Sequence, residues 1–392
     1  MSRQTKPRTV IVQGQPSWRL ATPQVEAFVT ETGGHIGPVT FTLGRRKISP
    51  FSVAPWATER DVQRDPGTPN IIKALRGDFF CMPFGGNATK FGREKHPVHG
   101  EVANERWKLA SIARSDGAVE LSATLRTRIR KGNVSKLIRL RDGQHAVYSR
   151  HVIRDMTGPM SVGHHAMLKF PDSPGSGVIS TSPFAFAQVF PEPVERPENR
   201  GYSILKPGVT FDSLQSVPTI TGEVTDLSRY PARRGFEDIV MLVADRSRPF
   251  AWTAVTFPKE RFVWFALKDP RVLASTVLWI SNGGRYYAPW NGRHVNVMGL
   301  EEVTANFHYG LNESAAPDNP IAQRGYPTRI DLDPERPTVV NYVMGVAPIA
   351  EGFDRVEQIE PAGRGVALRS VSGQVVEVPL DFAFLEERVS AP

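Results

Sequence analysis

The sequence FAWTAVTF at residues 250–257 is followed by RFVWFALK at 261–268 and STVLWIS at 275–281, and these segments decide the fold class. All three are short and rich in β-branched and aromatic residues, a composition typical of strands. The chain has 392 residues, and 33 glycines and 33 prolines separate many such segments. Long amphipathic helical patterns are missing. The sequence therefore predicts an all-β protein of many antiparallel strands, arranged as a large sandwich or barrel.

Strand-like composition continues along most of the chain, so we predict one domain over residues 21–385. An N-terminal extension, residues 1–20, is expected to lie outside the core, as chain termini commonly do. A proline-rich stretch, PEPVERPENRGYSILKPG, occupies residues 191–208. It could mark a domain boundary, but strand chemistry of the same kind resumes beyond it. We therefore interpret it as an insertion within the domain.

Composition restricts the class of protein. Hydrophobic residues make up 40% of the chain, enough for a large core. No apolar run approaches the ~20 residues of a membrane helix, and the N-terminus lacks the apolar region of a secretory signal. Cys81 is the only cysteine, so no internal disulfide can form. We expect a cytoplasmic protein without a membrane partner.

The net charge of +8 indicates attraction to anions, and the segment LRTRIRKGNVSKLIRLRDG at 125–143 concentrates it. Arg126, Arg128 and Arg130 alternate with uncharged residues, which predicts a strand with one basic face before a turn at 131–133. We interpret that face as solvated. A nucleic-acid groove is the alternative, but the segment lacks the aromatic residues on which bases stack, so no nucleic-acid partner is expected.

The segment HPVHGEVANERW at 96–107 holds the first candidate for chemistry. On a strand, side chains two apart share a face, so His99 and Glu101 would point the same way. With His96 they could bind zinc or iron, because imidazole and carboxylate are ligands of both metals. The H-x-x-H spacing alone is a weak metal signal. A proton-transfer or ligand-binding role for His99 stays open beside the metal role.

Adjacent histidines occur in SVGHHAMLKFP at 161–171. On a strand His164 and His165 would point to opposite faces, so at most one of them faces a given pocket. A structural, hydrogen-bonded histidine is the alternative for either residue.

Two adjacent carboxylates interrupt an otherwise apolar strand pattern in NVMGLEEVTANFHYG at 296–310. One of Glu301 and Glu302 must face inward, where an ionised carboxylate is costly unless it is paired or functional. An exposed charged edge is the alternative interpretation.

The segment ALRGDFFCMPFGGN at 74–87 places Arg76 and Asp78 on one face of a short strand. The two side chains could simply form an ion pair. An arginine in a cleft also suits a hydroxyl-rich or anionic ligand.

Taken together and in their order along the chain, the four motifs resemble the galactose mutarotase-like superfamily. This superfamily includes aldose 1-epimerases and hexose-6-phosphate mutarotases. LRGDFFCMPFGG and HGEVANERWKL are similar to two family segments, the strand pair ending in SVGHHAML to a third, and GLEEVT to the family's L-E-P-x-T segment. The resemblance spans roughly residues 20–310. Its departures from the family pattern are Glu101, Ala103, Met167 and Glu302.

The resemblance implies a supersandwich of antiparallel strands and a cofactor-independent aldose 1-epimerase that needs no metal. Glu301 would be the base, His165 the acid, and His99 would stabilise charge on a sugar oxygen. Substrate would be held by Arg76, Asp78, His164 and Glu101. We further expect Trp290, with Tyr286 or Tyr287, to form an apolar platform for a sugar face.

Several alternatives stay open. The substrate could be a monosaccharide or a phosphosugar, for which the basic charge is suitable. The chain could instead be a non-catalytic carbohydrate-binding or regulatory protein, because a fold does not fix a function. A metal-dependent sugar isomerase or lyase is the third possibility, with His96, His99 and Glu101 as ligands beside His164 or His165.

Overall fold

The computed structural model describes residues 9–388, which form 27 strands, numbered here in chain order, and short helices. Two large antiparallel sheets dominate. In spatial order the nine-stranded sheet consists of β17 (Arg229–Tyr230), β13 (Gly177–Thr181), β19 (Ala251–Phe257), β20 (Phe262–Lys268), β24 (Thr338–Pro348), β10 (Ala146–Arg154), β9 (Gly132–Arg141), β8 (Ala118–Thr127) and β7 (Lys108–Ser115). The six-stranded sheet consists of β14 (Phe184–Val189), β18 (Phe236–Ala244), β21 (Ser275–Asn282), β22 (Val297–Thr304), β12 (Val162–Lys169) and β6 (Phe80–Cys81).

Smaller sheets and short helices complete the described residues. A five-stranded sheet contains β1 (Val10–Val12), β2 (Gln15–Ala21), β3 (Val25–Thr30), β4 (Ile36–Leu43) and β5 (Arg46–Ile48). A three-stranded sheet contains β25 (Val356–Ala362), β26 (Gly365–Ser370) and β27 (Val375–Pro379), and two strand pairs join β11 (Gly158–Met160) to β23 (Ile330–Leu332) and β15 (Val217–Pro218) to β16 (Val224–Thr225). The helices are α1 (Arg60–Arg64), α2 (Asn70–Ala74), α3 (Leu311–Ala315), α4 (Pro320–Gln323) and the 3-10 turns Glu101–Ala103, Pro197–Asn199 and Phe382–Glu386. Within residues 9–388, none of these helices has the length and apolarity needed to span a membrane.

The two large sheets pack face to face around the main hydrophobic core. Strands β19, β20 and β21 are buried along their whole lengths, because each is covered on both faces. Lys268 on the nine-stranded sheet forms a buried ion pair with Glu302 on the six-stranded sheet. The ring of His164 stacks on that of Tyr342 across the same gap, at 4.3 Å between centroids. The prediction of an all-β antiparallel sandwich is confirmed.

The expectation that the first twenty residues lie outside the core was wrong for part of β2. Trp18 and Leu20 are buried in the main core, whereas Arg19 between them is exposed. This is the period-two alternation of a half-buried strand, which the sequence does contain. The assignment of 21–385 to one domain, with 191–208 as an insertion, stays a prediction.

The basic segment forms a hairpin whose turn lies earlier than predicted. Strand β8 ends at Thr127 and β9 begins at Gly132, so only Arg126 of the three alternating arginines lies on a strand. Arg130 turns back to bond the Glu94 carboxylate. The prediction of one uninterrupted strand that carries all three arginines was therefore wrong.

Candidate active site

The pairing of β12 with β22 sets the geometry of the site. Its antiparallel register places His165 directly opposite Glu301 and His164 directly opposite Glu302. Because adjacent residues of a strand point to opposite faces, the first pair lies on the outer face of the six-stranded sheet and the second faces the core. Nε2 of His165 is 3.2 Å from Oε1 of Glu301.

These two side chains lie at the floor of a cavity of about 130 Å³, called here the His165–Glu301 cavity. Three aromatic residues, Phe79, Trp279 and Trp290, form part of its wall. The polar side chains that line it are His99, His165, Arg285, Glu301 and His308. An apolar wall around a few converging polar groups is typical of a small-molecule site.

His99 joins the pair from a separate loop. Its ring centroid is 4.9 Å from that of His165, in an edge-to-face arrangement. Its Nδ1 accepts a hydrogen bond from the backbone N–H of Gly85, at 3.3 Å, which fixes the imidazole against the cavity. The structure therefore brings together Glu301, His165 and His99, the three residues expected to carry the chemistry.

Burial controls the protonation of the pair. It raises the pKa of Glu301 well above its ordinary value and lowers the pKa of His165 to about 3. Burial also lowers the pKa of His99 well below its ordinary value. Burial therefore favours the neutral form of both groups, with the proton on the carboxyl and not on the imidazole. Because the two groups lie so close together, their titrations are coupled.

Arg285 is a cavity residue that the sequence interpretation missed, although it lies in the same segment as Trp290. Its guanidinium lies over the rings of Trp290 and Trp279, at 4.6 and 5.3 Å from their centroids. Its Nε donates to Oε1 of Glu195 at 2.5 Å, and Glu195 belongs to the proline-rich stretch. That stretch therefore supplies the partner that holds a cavity arginine in place. Trp290 itself lines the cavity, and its role as an apolar platform for a sugar stays a prediction.

Glu237 lies behind this wall and was also missed. Its carboxylate accepts hydrogen bonds from Trp279 Nε1 and Ser281 Oγ, both at 2.9 Å, and lies 4.0 Å from Arg285. Burial raises the pKa of Glu237 to about 7. Burial alone would lower the pKa of Arg285, but Glu237, then Tyr287 and Glu195, raise it. Two adjacent carboxylates, Glu237 and Asp238, at the start of an otherwise apolar strand were the available signal.

The structure places Asp78 and His164 away from the cavity, which corrects their assignment to substrate binding. Nδ1 of His164 lies 2.8 Å from Oδ2 of Asp78, and both side chains are fully buried on the core face. The strand alternation that puts His165 into the cavity necessarily directs His164 into the sandwich.

Arg76 also points away from the cavity, so its predicted role was wrong. Its guanidinium donates hydrogen bonds to the backbone carbonyls of Val12, Gln13 and Ala74. It anchors the N-terminal strands rather than a ligand.

Glu101 was assigned to the site because it would share a strand face with His99, and that assignment was wrong. His99 and Gly100 have φ of +57° and +77°, so the chain leaves the strand conformation and enters a 3-10 turn. The Glu101 carboxylate accepts hydrogen bonds from the backbone N–H groups of Arg128 and Ile129. It stabilises the turn between β8 and β9 and does not line the cavity.

The residues proposed as metal ligands do not assemble. Nε2 of His96 lies 2.8 Å from a carboxylate oxygen of Glu94, outside the cavity that contains His99. Across the chain from residue 9 to 388, no group of three or more His, Cys, Asp or Glu side chains is arranged to hold a metal ion.

Comparison with known proteins gives matches by structure. No family model matches the sequence, and no curated protein matches it. A protein from Escherichia coli K12 named "putative aldose 1-epimerase" aligns with a TM-score of 0.56 at 14% identity, over 86% of this chain and 100% of its own. A galactose mutarotase-like protein from Clostridium acetobutylicum aligns with a TM-score of 0.54 at 11% identity, over 89% and 100%.

A galactose mutarotase related enzyme from Lactobacillus acidophilus aligns similarly, with a TM-score of 0.52 at 10% identity, over 86% of this chain and 99% of its own. At such identities the alignments establish the fold alone. The activity has to be inferred from the residues of the site. Together with the antiparallel sandwich described above, they show that this chain has the galactose mutarotase-like fold.

Proposed function

We propose that the protein is an aldose 1-epimerase-like enzyme that interconverts sugar anomers in the His165–Glu301 cavity. The observation that carries the proposal is the 3.2 Å approach of His165 Nε2 to Glu301 Oε1 among aromatic side chains. In a pyranose, the C1 hydroxyl oxygen and the ring oxygen are bonded to the same carbon. An acid and a base that lie side by side can therefore reach both oxygens at once.

Ring opening requires one proton to leave and one to arrive. Glu301, as carboxylate, takes the proton of the C1 hydroxyl, and His165, as imidazolium, donates its proton to the ring oxygen as the C1–O5 bond breaks. Rotation about C1–C2 then exposes the other face of the aldehyde. Reclosure returns the first proton to the new C1 hydroxyl and the second to His165, so the enzyme is restored.

The substrate itself favours the ionic form of the pair. Before a sugar binds, burial favours the neutral form, with the proton on Glu301. A sugar hydroxyl that donates to the carboxylate, and a ring oxygen that accepts from the imidazolium, both stabilise the charged groups. His99 lies beside His165 and is suited to donate a hydrogen bond to a sugar oxygen that gains charge.

We propose a sugar without a phosphate group. Among residues 9–388, Arg285 is the only lysine or arginine that lines the cavity, and Glu195 and Glu237 already neutralise it. Burial lowers the pKa of His165 to about 3 and that of His308 to about 4, so we expect neither histidine to bring a positive charge to an incoming phosphate at pH 7. A phosphate dianion would find no uncompensated positive charge there.

Saturation transfer between α and β anomeric protons, followed by NMR, tests the proposal. Catalytic amounts of protein are added to a panel of aldoses and to their 6-phosphates. Faster exchange for a free aldose and not for its 6-phosphate is expected. Faster exchange for the phosphate alone would overturn the substrate assignment. Sugar binding without faster exchange would indicate the non-catalytic carbohydrate-binding alternative. The cytoplasmic location stays a prediction.

A further inference from the structure

The outer face of the nine-stranded sheet is only partly covered. The three-stranded sheet of β25, β26 and β27 packs over one part of it, where Tyr148 and Phe265 share a hydrophobic cluster with Leu368. Among residues 9–388, no such sheet packs over the part formed by the ends of β7, β8, β9 and β10. A surface groove of about 1350 Å³ lies there, called here the basic groove.

Strand register arranges the floor of the basic groove in rows. Arg126 on β8, Asn133 on β9 and Arg154 on β10 are direct cross-strand neighbours. The next row places Thr124 between Lys108 and Ser135. Residues of the two rows are two apart along their strands, so their side chains share one face. Cationic groups thus alternate with small hydroxyl and amide side chains.

The groove carries a large excess of positive charge. Its cationic side chains are Arg106, Lys108, Arg126, Arg128, Lys131 and Arg154. Only two carboxylates line it, and one of them, Asp155, already accepts a hydrogen bond from Asn133.

Most of these cations have no carboxylate partner within the described part of the chain. Between residues 9 and 388, no carboxylate lies within ion-pair distance of Lys108, Arg126, Arg128 or Lys131. Arg106, by contrast, bonds Glu31. Cations held together without partners repel one another, and an anionic ligand would relieve that repulsion.

We infer that the basic groove binds a carboxylated polysaccharide, such as a uronic acid polymer. Arginine fork geometry matches carboxylate, and the Thr124, Asn133 and Ser135 side chains can bond sugar hydroxyls between the charges. Nucleic acid fits less well, because the described lining contains no aromatic side chain for base stacking. The groove lies on the opposite sheet from the His165–Glu301 cavity, so this inference is independent of the proposed function.

Binding of an oligogalacturonate to the full chain tests the inference, at about 0.15 M salt. The test variant combines Arg126→Gln, Arg128→Gln and Lys131→Gln. The control combines Arg45→Gln, Lys47→Gln and Lys259→Gln, which removes the same charge from exposed positions outside the groove. We expect the groove variant to bind about tenfold more weakly or worse, and the control to change less than about twofold.

Three outcomes would overturn the inference. Equal losses in both variants would show that net charge alone attracts the polymer. Tighter binding of single-stranded or duplex DNA than of the uronate at the same salt would assign the groove to nucleic acid. No binding by the wild-type chain would remove the site. The substituted side chains are all exposed, so we expect the melting temperatures of both variants to match that of wild type. Matching melting temperatures would show that each variant is folded.

Discussion

His165 and Glu301 are direct cross-strand partners whose reactive atoms lie 3.2 Å apart in a buried cavity. Unlike the buried His164–Asp78 and Lys268–Glu302 pairs, which face the core between the sheets, this acid–base pair lines a cavity. Since the two groups lie so close together, neither is expected to titrate as an isolated side chain.

Activity is expected to be flat through the neutral pH range. The raised pKa of Glu301 keeps one proton in the pair until the pH rises past it, and the lowered pKa of His165, about 3, delays a second proton until acid pH. The pH profile of kcat/KM, from anomer exchange rates, measures both limits. A fall centred on the ordinary histidine pKa of 6.5 would contradict a shared proton in a buried pair.

Replacement of Glu101 should lower the stability of the protein without lowering its rate of anomer exchange. Because its carboxylate holds the backbone N–H groups of Arg128 and Ile129, Glu101→Gln should lower the free energy of unfolding by about 1–2 kcal/mol. The exchange rate per folded molecule should stay within about twofold of wild type, since Glu101 does not line the cavity. Denaturant titration and NMR exchange on one sample measure the two effects. A large loss of the anomer exchange rate in a variant that is still folded would contradict this and indicate that Glu101 takes part in catalysis or substrate binding.

The Arg285–Glu195 pair should contribute more than a surface ion pair. In a double-mutant cycle of Arg285→Gln and Glu195→Gln, we expect a coupling of about 1–3 kcal/mol in unfolding free energy. The largely exposed Arg234–Asp172 pair is the matched control and should give less than about 1 kcal/mol. Equal couplings would show that the proline-rich stretch is not held by this contact.

Asp238 should make stability depend on pH. Burial raises its pKa from 3.8 to about 7, although the backbone N–H groups of Ile204 and Leu205 oppose the shift. The folded state then retains a proton that the unfolded state has lost. This group's contribution to stability therefore falls as the pH rises from about 4 to about 7, by at most about 1.4 kcal/mol per pH unit.

Asp238→Asn removes that dependence and keeps an oxygen for both N–H groups. Relative to wild type, the variant should gain stability between about pH 5 and about pH 8, as measured by denaturant unfolding at each pH. Asp212→Asn, at an exposed position, should show no such gain. A parallel pH response of Asp238→Asn and wild type would mean that Asp238 is ionised in the folded protein throughout.

Local sequence patterns predicted the strands and part of the site, and failed where long-range geometry decides. Alternation indicates that one of His164 and His165 faces a pocket, but only the pairing of β12 with the distant β22 matches His165 to Glu301. The positive φ at His99 breaks the alternation on which the assignment of Glu101 rested. The inward direction of Arg76, toward backbone carbonyls far along the chain, has no local signal.

The two residues that the sequence interpretation missed, Arg285 and Glu237, were missed for a similar reason. Arg285 lines the cavity because Glu195, from a segment without strand pattern, bonds its guanidinium. Glu237 lies behind the cavity wall, where it bonds Trp279 and lies 4.0 Å from Arg285. Contacts between a loop and distant strands leave no periodicity in the sequence.

Anomer exchange by wild type and by Glu301→Gln, compared on the best free aldose, tests the central claim most directly. Gln is nearly isosteric with Glu but cannot accept the C1 hydroxyl proton, so exchange should fall at least about 100-fold while sugar binding persists. Glu101→Gln serves as the glutamate control and should keep its rate. Exchange by Glu301→Gln at the wild-type rate would contradict the account, because the His165–Glu301 pair would then not carry the protons.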